Sequence, residues 1–348
     1  MGNTTEVRQT LLRFLDDRVF LSAKWWPLLA LVTFATATGL SQSGAGTASS
    51  SYAPAYYHGS QGEPPEVVVF PPSGGRVVIP LPSPDLLRTL AFTPDGRAIF
   101  ATIHTIISPR TSDHPARLGP PRMIRVELSP VRVTTVADLV GLDDVFGLVA
   151  VPHQDKVLFT GSGWKGNLGC ELFEIEPSSG DFKMLLPHVG CGIGGISPDG
   201  GKMLVPRGLG LSILDLGTRS FVPLASGLPL GSVLGQGAWS PDGRWIAALQ
   251  TDPANEQARS RRTRTIRIDA HDFAQRRDLG GEGDVNITWS PDSRYLLYNE
   301  GPTLLTMDIE SGKRVIVKGA KGVYGGPNIG WVSLDVLTEG GSNPPSKN

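Results

Sequence analysis

The chain has 348 residues, with 43 Gly, 29 Pro, 19% charged residues and a formal net charge of −1. Near-neutral charge gives no support to nucleic-acid binding by the chain as a whole, and 2 Cys are too few for a disulfide framework. Abundant Gly and Pro, with no long helical periodicity beyond the N-terminus, suit an all-β domain rich in turns plus a short appendage.

Residues 5–24 can be written as a helix with Val7, Leu11, Leu15 and Val19 on one face. That pattern reads either as a helix lying on a membrane surface or as a long polar leader. Residues 25–41, Trp25 to Ser41, carry no charge and are just long enough to span a bilayer. Arg8, Arg13, Arg18 and Lys24 precede them, and no Lys or Arg follows until Arg76. The positive-inside rule therefore predicts residues 1–24 in the cytoplasm and the rest of the chain outside. The segment reads as a retained signal-anchor or as a signal peptide cut near Ala35-Thr36-Ala37; the long leader argues for the anchor. Residues 42–65 read as a flexible tether rich in Ser, Gly, Ala and Tyr, and residues 341–348 as a disordered tail.

One short pattern organises everything between. Ala238-Trp239-Ser240-Pro241-Asp242-Gly243-Arg244-Trp245 reads as strand, tight turn, strand. Close copies stand at Phe92-Thr93-Pro94-Asp95-Gly96, Ile196-Ser197-Pro198-Asp199-Gly200 and Trp289-Ser290-Pro291-Asp292-Ser293. Ser or Thr bonds back to the backbone, Pro presets φ, and Gly accepts a positive φ at the fourth position. A second hairpin follows each turn, as in Leu172–Leu185 and Leu305–Val317. One unit is thus four short antiparallel strands, a to d. The later turns recur about every 40–50 residues, and the first gap holds a degenerate copy at Leu148–Phe159. A worn sixth copy, Gly330–Thr338, supplies strands a and b, and Val67–Ile79 supplies the missing c–d hairpin. The prediction is a six-bladed β-propeller over residues 66–340, its last blade completed from the N-terminal side.

The Ser-Pro-Asp-Gly units resemble the WD40-like, Pro-Asp-containing repeats of TolB-type propellers, over about residues 66–340. The resemblance implies a rigid extracytoplasmic platform for partners. The N-terminal α/β domain of that family has no counterpart in the residues before 66.

Motifs for chemistry are sparse. Gly161–Gly166 and Gly190–Gly195 match G-x-G-x-x-G, but each leads toward another strand rather than the helix a dinucleotide site needs. The histidines lack metal spacing, no G-x-S-x-G occurs, and one Asp per turn suits turn chemistry better than calcium. No cofactor is expected. Cys170 and Cys191 fall at the same end of the ring; outside the cytoplasm they can pair, and the alternative is two small buried residues. The b–c and d–a connections differ in every blade and crowd one face. They carry His104, Trp164, Lys165, His188, Arg207, Arg259, Arg261, Arg262, Glu300 and Tyr324, the expected contact residues for a protein or small ligand. Arg264 and Arg267 extend the basic run toward an anionic partner or simply a solvated edge. The expected function is a membrane-tethered binding platform; the alternative is a lactonase-like propeller hydrolase with a site at the channel mouth.

Overall fold

The computed structural model describes residues 51–58, 65–81, 86–108, 117–166, 169–208, 210–224, 232–252, 263–280, 286–320 and 329–339. Residues 1–50, which include the expected anchor, and the tail 341–348 lie outside the described residues. Among the described residues no helix is long and apolar enough to cross a membrane.

The first three strands are β1 (Tyr52–His58), β2 (Glu66–Val69) and β3 (Val77–Pro80). Blade 1 follows as β4 (Leu86–Phe92), β5 (Ala98–Ser108), β6 (Arg117–Leu128) and β7 (Val131–Asp138). Blade 2 is β8 (Asp144–Ala150), β9 (Val157–Ser162), β10 (Cys170–Ile175) and β11 (Phe182–Val189). Blade 3 has β12 (Lys202–Arg207), β13 (Gly210–Asp215) and β14 (Phe221–Pro223), with its inner strand reduced to an Ile196–Met203 bridge. Blade 4 is β15 (Val233–Trp239), β16 (Trp245–Thr251), β17 (Thr263–Asp269) and β18 (Arg276–Gly280). Blade 5 is β19 (Ile287–Trp289), β20 (Tyr295–Glu300), β21 (Thr303–Asp308) and β22 (Arg314–Ile316). The sixth sheet joins β23 (Ile329–Ser333) to the start of the chain, in the order β23-β1-β2-β3.

That sheet departs from the expected one in two places. Tyr52–His58, expected within the tether, is a strand: it pairs with β23 through Pro54 opposite Trp331 and with β2 through Tyr56 opposite Val68. The slot of strand b is thereby filled from the N-terminal side. Leu334–Glu339, expected as that strand, is instead the short helix α1, with Asp335 in its first turn.

The four good turns share one hydrogen-bond set. In the turn of blade 4 the Ser240 hydroxyl donates to Asp242 Oδ1 at 2.6 Å and accepts from the Trp245 amide at 2.9 Å. The same carboxylate oxygen accepts from the Arg244 amide at 3.0 Å, and the Gly243 amide closes on the Ser240 carbonyl at 2.9 Å. Gly96, Gly200, Gly243 and Ser293, fourth in each turn, all have positive φ. The Ser197 hydroxyl, and then the Gly201 amide, hold the Asp199 carboxyl below its usual range.

Six apolar clusters fill the gaps between sheets, so each blade buries its face on the next. Polar links reinforce them: Gly195 N–H to the Gly237 carbonyl at 2.9 Å, Trp289 Nε1 to the Ala238 carbonyl at 3.0 Å, and Ser333 N–H to the Gly96 carbonyl at 3.0 Å.

Candidate functional site

The inner strands leave a cavity of about 890 Å³ along the ring axis. All six blades line it, through stretches that include Leu90, Leu148, Ile193, Gln236, Ile287 and Ile329. Its rim is the turn face: Pro94, Pro152, Pro198, Pro241 and Pro291 all stand there. The wall is mainly apolar, with Gln236 and Thr288 among its polar groups and Gln154, Asp155 and Lys156 near the mouth. Asp95, also at the rim, is held in its own turn by Thr93 and the Arg97 amide. The bowl therefore offers a shaped, largely apolar recess, in the volume range of small-ligand sites.

Most of the expected contact residues sit elsewhere. His104 lies within β5, opposite Leu86 and Pro121, is 1% exposed and belongs to the joint between blades 1 and 2. Its Nδ1 lies 2.8 Å from the Gly119 carbonyl. Its Nε2 lies 3.3 Å from Asp144 Oδ1, an ion-pair distance without hydrogen-bond alignment. Arg88 Nη2 holds the other oxygen of Asp144 at 2.7 Å. Burial works against the charge on Asp144, yet His104 and Arg88 outweigh it and bring the carboxyl down to about 2.

Trp164 lies in a 3-10 turn, Trp164–Gly166, and packs edge-on against Phe173 and Phe182 at 5.6 and 5.8 Å. It is part of an aromatic core rather than a displayed anchor. Lys165 occupies the same turn. Gly161–Gly166 thus ends in that turn before reaching β10. Arg207 is exposed and stacks on Phe221 with its guanidinium carbon 3.8 Å from the ring centre. Glu300 bonds Arg314 at 3.2 Å, tying strand b of blade 5 to strand d. His188 is exposed, with φ of 55. Arg259, Arg261, Arg262 and Tyr324 lie outside the described residues. Arg264 is bound on both sides, to Asp252 at 3.2 Å and Asp278 at 2.7 Å. Cys170 and Cys191 are joined by a disulfide, with Cα atoms 5.2 Å apart.

Among the described residues no group of three or more His, Cys, Asp or Glu is placed to hold a metal ion. Sequence reasoning placed only its alternative, a hydrolase, at the channel mouth and named none of the residues that line the bowl as site residues, because these come from inner strands and each looks like ordinary core.

Architecture and recess together define a six-bladed propeller with a cavity open on its uniform face, and the fold is that of a TolB-type β-propeller. TolB from Acinetobacter baumannii superposes with a TM-score of 0.59 at 19% identity, over 81% of this chain and 66% of that one. This chain thus spans slightly less than two thirds of that protein. A protein provisionally named TolB from Agrobacterium tumefaciens superposes with a TM-score of 0.55 at 14% identity, over 82% of this chain and 96% of that one. An oligogalacturonate lyase in complex with manganese follows at a TM-score of 0.48 and 11% identity, over 72% of this chain and 70% of that one, too distant to bear on chemistry. No family model and no curated protein matches the chain.

Proposed function

We propose that the chain is a non-enzymatic binding platform, held at a membrane by residues 25–41, with the propeller outside the cytoplasm. The observation that carries the binding role is the bowl of about 890 Å³, built by every blade and rimmed by rigid turns. Of the two carboxylates that line the bowl, Asp95 and Asp155, Asp95 already accepts from the hydroxyl of its own turn, as Asp199, Asp242 and Asp292 do in theirs, which favours a shaped recess over a paired-carboxylate catalyst. The pairing of β1 with β23 supports a ring closed from both ends of the chain, a scaffold stiff enough to present that recess. The Cys170–Cys191 bond supports an oxidising compartment. A protein segment or small ligand enters the bowl from the turn face. The loop face, where His188 and Arg207 are exposed, is the other docking surface in this reading.

A second reading, a channel-mouth hydrolase, draws on the same cavity and on His153, Asp155 and Lys156 at its rim. Pull-down from native membranes, with metal analysis of the purified chain, separates the two. A stoichiometric partner without divalent metal supports the platform; one divalent ion per chain with hydrolytic turnover supports the enzyme. A reporter fused after residue 348 is active only outside the cytoplasm in this account; cytoplasmic activity contradicts the proposed topology.

A further inference from the structure

The repeats provide an internal control for positions that the fold alone does not explain. At the equivalent place counted from each turn, strand b faces one residue of strand c, and that residue faces one of strand d. Blade 3 has Ile213 opposite Val222, and blade 5 has Thr306 opposite Val315. Blade 2 has Glu174 opposite Lys183, paired at 3.1 Å. Blade 1 has Arg125 opposite Thr134, with Arg125 neutralised by Glu127 at 2.8 Å. Blade 4 has Arg267 directly opposite Arg277.

Two like charges facing each other across strands destabilise a sheet. A third cation joins them. The guanidinium carbon of Arg267 lies 3.9 Å from the centre of the Trp245 ring, and that of Arg244 lies 5.4 Å from the same centre. Among the described residues the side chains of these three arginines make no ion pair or hydrogen bond. The contrast with blade 5 is direct: there Arg294, beside Tyr295, is paired with Asp308 at 3.1 Å. Burial, and then Arg277, push the Arg267 guanidinium below its ordinary value; Glu310 works against them, and Arg244 and Asp269 follow with smaller, opposite effects. The stack of Arg267 on Trp245 is itself favourable, but it leaves the facing charge of Arg277 without a partner carboxylate within ion-pair distance among the described residues.

We propose that Arg244 and Arg267, both over the Trp245 ring, together with Arg277 opposite Arg267, form a binding site for a phosphate-class oxyanion on blade 4. Guanidinium forks match the oxygens of such a group, and three cations suit a doubly charged tetrahedral ion better than a single carboxylate, which one fork satisfies. The ion closes the like-charge gap and uses donors that the protein leaves idle. Its source is a free phosphate or the phosphate of a lipid headgroup; the two share this chemistry.

Calorimetric titration of the detergent-solubilised full chain with inorganic phosphate, at constant ionic strength, tests the site. The comparison is Arg267→Thr with Arg277→Val, the pair that blade 5 carries, so the variant keeps a sheet-compatible blade. Saturable phosphate binding that weakens by at least about tenfold in the double variant supports the site. A single Arg277→Val change, at an exposed outer strand, gives the same direction should the double variant unfold. Vesicles of phosphatidic acid in phosphatidylcholine then identify the source. Extra vesicle binding by wild type over variant assigns a lipid headgroup, and equal vesicle binding with intact phosphate binding assigns a free ion. Absence of saturable phosphate binding in the wild type, or undiminished binding in the variants, overturns the proposal.

Discussion

Replacing Gly96 by Ala tests the seam where blade 1 meets the sheet that holds both ends of the chain. Gly96 has a φ of +65, and a Cβ there would stand 2.7 Å from the Ser333 amide nitrogen and 2.8 Å from the Trp331 carbonyl oxygen. Both neighbours are backbone of β23, so relief requires the strand itself to move. The positive φ alone costs about 1 kcal/mol for a residue with a Cβ. Forcing β23 outward adds about 2 kcal/mol, in the range of other overpacked contacts. Gly312→Ala is the matched control: its φ is +69, and nothing lies within 4 Å of the added carbon. Thermal and urea unfolding of the two variants isolate the seam. Gly96→Ala should melt about 4–8 °C below Gly312→Ala, with an unchanged urea m-value. Equal shifts in the two variants would refute the packing of this turn against β23.

Asp144→Asn removes the charge that binds His104 and Arg88 across blades 1 and 2. Holding that carboxyl at about 2 rather than 3.8 corresponds to about 2 kcal/mol. Because the folded value is the lower one, this stabilisation is complete above about pH 4 and fades as the pH falls toward 2. Urea unfolding at a series of pH values should show a flatter acid limb in the variant; parallel limbs would count against the assignment. Cys170→Ser with Cys191→Ser opens a link between residues 21 apart and should cost about 3 kcal/mol under oxidising conditions, with no effect under reducing ones. Trp164→Ala should lower the melting temperature through its contacts with Phe173 and Phe182, so partner binding to that variant reads on stability as well as contact.

The blades were legible because their turns are local: Ser, Pro, Asp and Gly at adjacent positions determine the turn and with it the pairing of a with b. Tyr52–His58 was not legible. Pro54 and the small residues around it read as linker, and only β23, almost three hundred residues away, supplies its partner. Leu334–Glu339 has the apolar content of a strand, but the place beside β23 is already taken. At the site, the sequence marked a basic run from Arg259 to Arg267 without its register. Only the sheet separates Arg264, bound by two aspartates, from Arg267, opposite Arg277 and against Trp245. His104, though buried, looked like a loop residue because Asp144, its partly exposed partner, belongs to another blade.

Site-specific photo-crosslinking in native membranes addresses the central claim most directly. A crosslinking side chain at Gln154, on the bowl rim, and another at Arg207, on the loop face, sample the two faces of one ring. The account predicts a discrete partner adduct at position 154 that is lost when bulky residues fill the bowl at Gln236 and Thr288. Adducts confined to position 207, or a position-154 adduct indifferent to filling the bowl, would contradict it.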